Sequence, residues 1–161
     1  MSWRGRGRAW SLFLIALNQA HRAVVRITGG RVGWSVGGMP AIELHTRGRV
    51  TGKRRSTMLT APVHGDGRFV LVASRGGDDR NPSWYSNLVA HPDVEVTVRG
   101  QTIPMRARTA TAAEKAELWP QIVTAYRGYE GYQRRTTRDI PVVVCEPREA
   151  DPRDAGDRPT G

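Results

Sequence analysis

Three stretches of this chain carry side chains able to do chemistry. The first is HTRGRVTGKRRSTM, His45 to Met58. Five of its first eleven residues are basic (Arg47, Arg49, Lys53, Arg54 and Arg55), and no acid occurs between Glu43 and Asp66. Gly48 and Gly52 lie inside the run, where glycine lets a loop turn and brings amide N–H groups close to a ligand. Arg49 and Arg55 can give forked, charge-assisted bonds to phosphate oxygens. The run is not a Walker loop, because GRVTGKRR lacks the four-residue gap and the GK[ST] ending. By spacing alone, an anion cradle and a solvated basic hairpin are equally good readings.

The second stretch is VASRGGDDRNPSWYSNL, Val72 to Leu88. A strand ends at Ser74 and Arg75, two glycines follow, and a short helix opens at Pro82, which suits a first helical turn. A helix N-terminus attracts anions. Trp84 and Tyr85 offer a flat wall to a planar ring, with the Asn87 amide on its polar edge; the competing reading is that the two aromatics plug the end of a barrel. The third stretch is YRGYEGYQ, in which Tyr126, Tyr129 and Tyr132 recur at intervals of three. On a helix they form one stripe. The pattern favours amphipathic packing; the alternative is a lid that covers a flat substrate and offers phenol hydroxyls.

Other chemistries find no support in the sequence. His21, His45, His64 and His91 have no metal-ligand spacing. There is no GxSxG or other nucleophile motif, and no evident pair of carboxylates for acid–base work. An enzyme built on this chain would need a bound cofactor to carry the reaction. Cys145 is the single cysteine, which excludes an internal disulfide and a multi-cysteine zinc site. Its setting, PVVVCEP, reads as a buried strand with a packed, inert thiol.

The elements that must position these residues form an α+β pattern within 161 residues, a length that suits one domain with one modest core. Six strands are expected: AIELHT, STMLTAPVHG (Ser56 to Gly65), RFVLVAS, DVEVTV, QTIPMRARTA and IPVVVCEP. RFVLVAS is a continuous apolar run and should be central. Asp66-Gly67 marks a hairpin turn, and Arg99-Gly100 another. Thr111 with Glu114 is a capping box opening a helix over about Ala112 to Tyr126. This is an antiparallel sheet or small barrel with helices outside it, and not the alternating βαβ pattern.

Before the sheet, Trp10 to Ile27 reads as an amphipathic helix, with Leu12, Leu14, Ile15, Leu17, Val24, Val25 and Ile27 on its apolar side. Core packing is the favoured role, and a surface-membrane anchor aided by Trp3, Trp10 and the nearby arginines the alternative. The expected organisation is residues 1–39 as this helix and a Gly-rich connector, 40–147 as the cofactor-binding domain, and 148–161 as a disordered tail with no apolar content to bury. The net charge of +10, nearly all arginine because Lys53 and Lys115 are the only lysines, points to an anionic partner. Nucleic acid is disfavoured: the aromatics group into two clusters instead of interleaving with the basic run.

In combination, TRGRVTGKRR, NPSWYSNL with HPDVEV, and YRGYEGYQRRTTRDIPVVVCEP resemble the deazaflavin-dependent nitroreductase family, over roughly Pro40 to Pro147. The resemblance implies a split β-barrel in which reduced coenzyme F420 gives hydride to an organic acceptor such as a quinone or a nitroaromatic compound. It implies cofactor-binding roles for Arg49, Val50, Thr51, Arg55, Ala73, Ser74, Arg75, Ser83, Trp84 and Asn87. Tyr126, Tyr129 and Tyr132 would close the substrate pocket, with Ser74 and Tyr129 hydrogen bonding or delivering a proton to the acceptor. Val50 stands where the family commonly has a second basic residue, a gap that Lys53 and Arg54 are expected to fill. Thr60 stands where some relatives have tyrosine. The alternatives are a non-catalytic split barrel that binds a flavin, a deazaflavin or a fatty acid, and a reductase that uses FMN. The expected location is the cytoplasm, with the first helix as a means of peripheral contact with the inner membrane face. It leaves the oligomeric state open.

Overall fold

The computed structural model describes residues 35–152. The expected helix Trp10 to Ile27, and the chain after residue 152, lie outside the described residues. Eight strands follow one another: β1 Ser35–Val36, β2 Met39–Arg47, β3 Arg54–Thr60, β4 Val63–Gly65, β5 Arg68–Val72, β6 Asp93–Val98, β7 Gln101–Thr109 and β8 Val142–Pro147. Three α-helices are described, α1 Ser83–Ala90, α2 Ala112–Ala125 and α3 Gly128–Arg135. Every strand pairing is antiparallel. The order β1-β2-β6-β7-β8-β5-β4, with β3 pairing β2 off that path, is a curled, split β-barrel.

Local chemistry explains most of the turns. Asp66 and Gly67 have φ of 52° and 74°, and Arg99 and Gly100 have 48° and 80°. Two successive positive φ values are the mark of the tight hairpin turn whose twist matches the flanking strands. The same device, at Gly37-Gly38, folds the end of the expected connector into a hairpin of β1 with β2. The expected strand Ser56 to Gly65 is in fact two strands. Pro62 has no N–H to offer a ladder, and Ala61 donates the last bond, to the Pro40 carbonyl at 3.0 Å.

β5 lies one strand in from the β4 edge, not mid-sheet. It is still buried on both faces. Phe69 and Leu71 enter the barrel core with Ile42, Leu44, Val96 and Met105, while Val70 and Val72 join Leu118, Ile122 and Tyr129 under the helices. Side-chain alternation along the strand divides the two cores. Cys145 lies in the barrel core, as its strand setting suggested, and burial pushes its thiol up to about 12, which keeps it protonated.

The capping box forms: Glu114 N donates to Thr111 Oγ1 at 3.2 Å and Thr111 N to Glu114 Oε2 at 2.8 Å. Arg108 grips the same carboxylate through two 2.8 Å bonds, and that contact above all holds its pKa down to about 2. Arg148, expected in the tail, is held instead. Its N–H donates to Pro104 O at 3.1 Å and its Nε to Met105 O at 3.2 Å.

Candidate functional site

The β2–β3 ladder runs from Ala41↔Thr60 to Arg47↔Arg54, and the basic loop closes it. Gly48 N donates to Lys53 O and Gly52 N to Gly48 O, each at 2.8 Å. The turn is close-packed: a Cβ on Gly48 would stand 2.8 Å from Thr51 Oγ1, which would have to rotate away, and 3.3 Å from Lys53 O. The loop is also braced from α1. Asn87, buried, accepts from Arg49 N at 3.1 Å through Oδ1 and donates to Thr46 Oγ1 at 3.3 Å through Nδ2. Its amide is therefore largely committed to the protein, where the sequence suggested it for the edge of a planar ring. One N–H and one lone pair remain.

Register divides the two neighbouring arginines. Thr46, Arg55 and Thr57 share a face with Ile42, Leu44 and Leu59, which continue into the barrel core. Arg54 points to the opposite face, where it pairs with the nearly buried Glu95 at 2.7 Å. Arg54 therefore cannot stand in for the basic residue replaced by Val50, because its charge is already neutralised. Lys53 is left for that role, exposed and with no ion pair among the described residues.

A cavity of about 430 Å³ opens between this loop and α1. Seven expected residues line it: Arg49, Val50, Thr51, Arg55, Ser83, Trp84 and Asn87. Thr46, Ser56 and Thr57 also line it and were missed, since nothing in their spacing separates them from ordinary strand hydroxyls. No carboxylate is in the lining. The side chains of Arg49 and Arg55 have no ion pair or hydrogen bond among the described residues. Pro82 precedes α1 as its cap, with no side-chain capping bond, so the first-turn N–H groups lack that partner. Trp84 fills both roles considered for it, packing in the barrel core and walling the cavity. Tyr85 stands edge-on to it, centroids 6.3 Å apart, and is tied by its hydroxyl to Thr109 at 2.9 Å.

Ala73, Ser74 and Arg75 are not part of this lining. They begin the segment between β5 and α1, where Ala73 and Ser74 are buried and Arg75 opens a short 3-10 turn, Arg75–Gly77. That turn is held by Arg138, a residue the sequence did not single out. Its guanidinium donates to four acceptors between Ala73 and Asn81.

The three tyrosines do come together. Their ring centroids lie 5.4 Å apart for Tyr126–Tyr129, 5.9 Å for Tyr129–Tyr132 and 6.2 Å for Tyr126–Tyr132. Tyr126 caps the end of α2, and the other two belong to α3. Tyr129 is buried in the helix-covered core, and its hydroxyl meets Thr60 Oγ1 at 3.4 Å. Burial pushes the Tyr129 phenol up, and burial together with the Tyr126 hydroxyl pushes Tyr132 up to about 12. Both are thus neutral donors at ordinary pH. None of the three lines the cavity. β3 links the two regions, with Arg55 and Thr57 at the cavity and Thr60 at the tyrosines.

Among the described residues, no group of acids, histidines and cysteines could hold a metal ion, and no helix is long and apolar enough to cross a membrane.

Residues 17–147 match the family model described as F420H(2)-dependent quinone reductase. The chain is 42% identical over 139 residues to the F420H(2)-dependent quinone reductase of Mycobacterium tuberculosis (strain H37Rv), covering 83% of this chain and 92% of that protein. A second protein of that organism, named a putative F420H(2)-dependent quinone reductase, is 36% identical over 110 residues, with 68% and 92% covered. A solved F420-H2 dependent reductase superposes with a TM-score of 0.61 at 38% identity, over 66% of this chain and 94% of that one. Another solved chain, described as a domain-swapped dimer, gives 0.64 at 35% identity over 80% and 94%. With its split barrel, arginine-lined cavity and tyrosine cluster, this chain belongs to the F420H(2)-dependent quinone reductase family.

Proposed function

We infer that the protein is an oxidoreductase that transfers hydride from reduced coenzyme F420 to a quinone. The observation that carries this reading is the cavity lining: two arginines whose side chains have no ion pair among the described residues, five hydroxyl side chains and, among those same residues, no carboxylate. That donor set fits a ligand with a phosphodiester and an acidic tail. It exceeds what the single phosphate of FMN requires.

When bound, the reduced deazaflavin supplies the hydride. The chain's own residues bind, orient and donate. Arg49 and Arg55 hold the phosphate, Lys53 stands ready for the tail, and Val50 and Thr51 offer backbone and hydroxyl contacts. Ser83 and the open first turn of α1 add N–H dipoles. Trp84 supports the flat ring, and Asn87 keeps the loop in register. Ala73, Ser74 and Arg75 approach from the end of β5. Reducing a quinone to a quinol takes one hydride and one proton, and negative charge develops on the quinone oxygen before that proton arrives. Neutral hydroxyls suit that oxygen, with Ser74 and Tyr129 as donors. Tyr126 and Tyr132 close the acceptor side. Nitroaromatic compounds would be accepted for the same reason, being flat and electron-poor. We place the enzyme in the cytoplasm, where the N-terminal stretch gives peripheral access to quinones in the inner membrane face.

The test is a fluorescence titration of the purified protein with F420 and, separately, FMN, followed by turnover of menadione with F420H2. Tight F420 binding, weak FMN binding and turnover are expected. F420 binding without turnover of any quinone or nitroaromatic would leave a binding protein, and tight FMN alone would replace the chemistry.

A further inference from the structure

The backbone between β5 and α1 does something uncommon. Arg75, Gly76 and Gly77 have φ of 46°, 66° and 81° in succession. Left-handed backbone is unfavourable for a residue with a Cβ, and it persists only where the surroundings over-determine it. Inside the turn there are two backbone bonds, Gly77 N to Ser74 O at 2.9 Å and Asp78 N to Arg75 O at 3.3 Å. Arg135 on α3 adds one bond, Nη1 to Gly76 O at 3.3 Å, and Arg75 pairs with Asp78 at 3.7 Å; most of the side-chain bonds come from Arg138. Its Nε donates to Asp78 O at 2.8 Å and its Nη1 to Asn81 Oδ1 at 2.8 Å. Its Nη2 donates to Ser74 O at 2.9 Å and to Ala73 O at 3.1 Å. One planar fork thus spans the whole segment, which a lysine ammonium cannot do.

Arg138 is itself fixed to the tyrosine helix. Gln133 on α3 donates to the Arg138 carbonyl at 2.8 Å and accepts from Ile140 N at 3.0 Å. Next to it, buried Thr136 donates to Asp79 Oδ1 at 2.9 Å. On the far side of the turn, Gly77 abuts α3, where an added Cβ would stand 2.7 Å from Tyr132 O. The turn is clamped between Arg138 and the helix that carries Tyr129 and Tyr132.

We propose that Arg138 is a positioning residue for hydride transfer: its guanidinium holds the left-handed turn that presents Ser74 and Arg75, and ties that turn to the seating of α3. Arg138 acts through the turn and not by contact with the reactants. The proposal rests on the reading above that Ser74 and Arg75 face the bound cofactor.

The experiment compares the full chain with Arg138→Gln and Arg138→Lys. It measures amide hydrogen exchange without cofactor, F420 affinity, the kcat and KM for menadione, and the thermal midpoint. Arg138→Gln should raise exchange at residues 74–81 while the sheet stays protected. It should also weaken F420 binding by about tenfold, the loss expected if the displaced Arg75 no longer makes one charge-assisted bond to the cofactor, and lower kcat more than it raises the KM for menadione. Arg138→Lys should recover most of the thermal midpoint but neither the protection of the turn nor the affinity. If exchange rises while affinity and kcat stay at wild-type values, or if lysine restores everything, the proposal is overturned. Should the glutamine variant not fold, the lysine variant decides alone by the same measures. A wild-type protein that binds no F420 would sink the functional reading and the proposal's catalytic claim together. Intact exchange protection in that protein would distinguish this result from a failure of the clamp.

Discussion

Arg54 and Arg55 are neighbours of identical type, and the structure gives them different work. Arg55 faces the cavity with no side-chain partner among the described residues, whereas Arg54 holds Glu95 on the other side of β3. Arg55→Ala should therefore leave stability within about 0.5 kcal/mol, as for an exposed side chain without special contacts. It should remove charge-assisted bonds to the cofactor of about 1.5–3 kcal/mol, a rise in Kd of roughly ten- to hundred-and-fifty-fold. Arg54→Ala should do the reverse. Breaking a fully buried pair costs about 3–5 kcal/mol. The Arg54 and Glu95 side chains keep 23% and 11% exposure, so solvent screening lowers the expected cost to about 2–3 kcal/mol. Urea unfolding and an F420 titration on each variant separate the two effects. Affinity loss in Arg54→Ala equal to that in Arg55→Ala, without loss of stability, would refute the division of roles. Unchanged affinity in Arg55→Ala would place the phosphate elsewhere.

Tyr129→Phe removes the hydroxyl that meets Thr60. It should spare F420 binding and slow menadione turnover by about a hundredfold if the phenol delivers a proton; full activity would remove that role. Gly77→Ala puts a Cβ at φ 81° and against the Tyr132 carbonyl. It should cost about 2 kcal/mol or more of stability in urea, and a loss near zero would mean that α3 yields freely. At alkaline pH the groups raised by burial set the trend. Cys145, Tyr129 and Tyr132 bind their protons more tightly in the folded chain. Their contribution is whole below their ordinary values and falls as pH rises. Cys145 alone contributes a slope of about 1.4 kcal/mol per pH unit between its ordinary 9.0 and about 12. Urea midpoints that stay level from pH 8 to pH 11 would contradict the burial argument.

Much of the fold is legible because it is written locally. Apolar alternation sets most of the strands, Asp66-Gly67 and Arg99-Gly100 set two hairpins, and Thr111 with Glu114 starts α2. The basic loop and the segment opening at Ser83 stand out in the sequence, and they line one cavity, because glycine, arginine and a helix start are local signals too. What escaped depends on partners distant in sequence. Nothing near Asn87 says that its amide braces Arg49, and nothing near Arg138 says that four acceptors between Ala73 and Asn81 await it. The identical look of Arg54 and Arg55 hides a difference that strand parity alone decides, and parity needs the start of β3. Pro62 did carry a readable warning, since proline inside an expected strand argues for an edge or a break.

That break has a consequence of its own. β3, which pairs with β2 off the main strand order, and β4, which ends that order, are joined in the chain by Ala61 and Pro62 alone. The barrel is therefore stitched shut by a peptide link where a closed barrel would have a ladder. Its girth can change by rotation at that link at the cost of no interstrand hydrogen bond beyond Ala61 N to Pro40 O, and the Pro62 ring removes one of the available torsions. β3 borders this seam and carries Arg55 and Thr57 at one end and Thr60 at the other. The width of the cavity and the reach from Thr60 to Tyr129 are geared to the same few torsions.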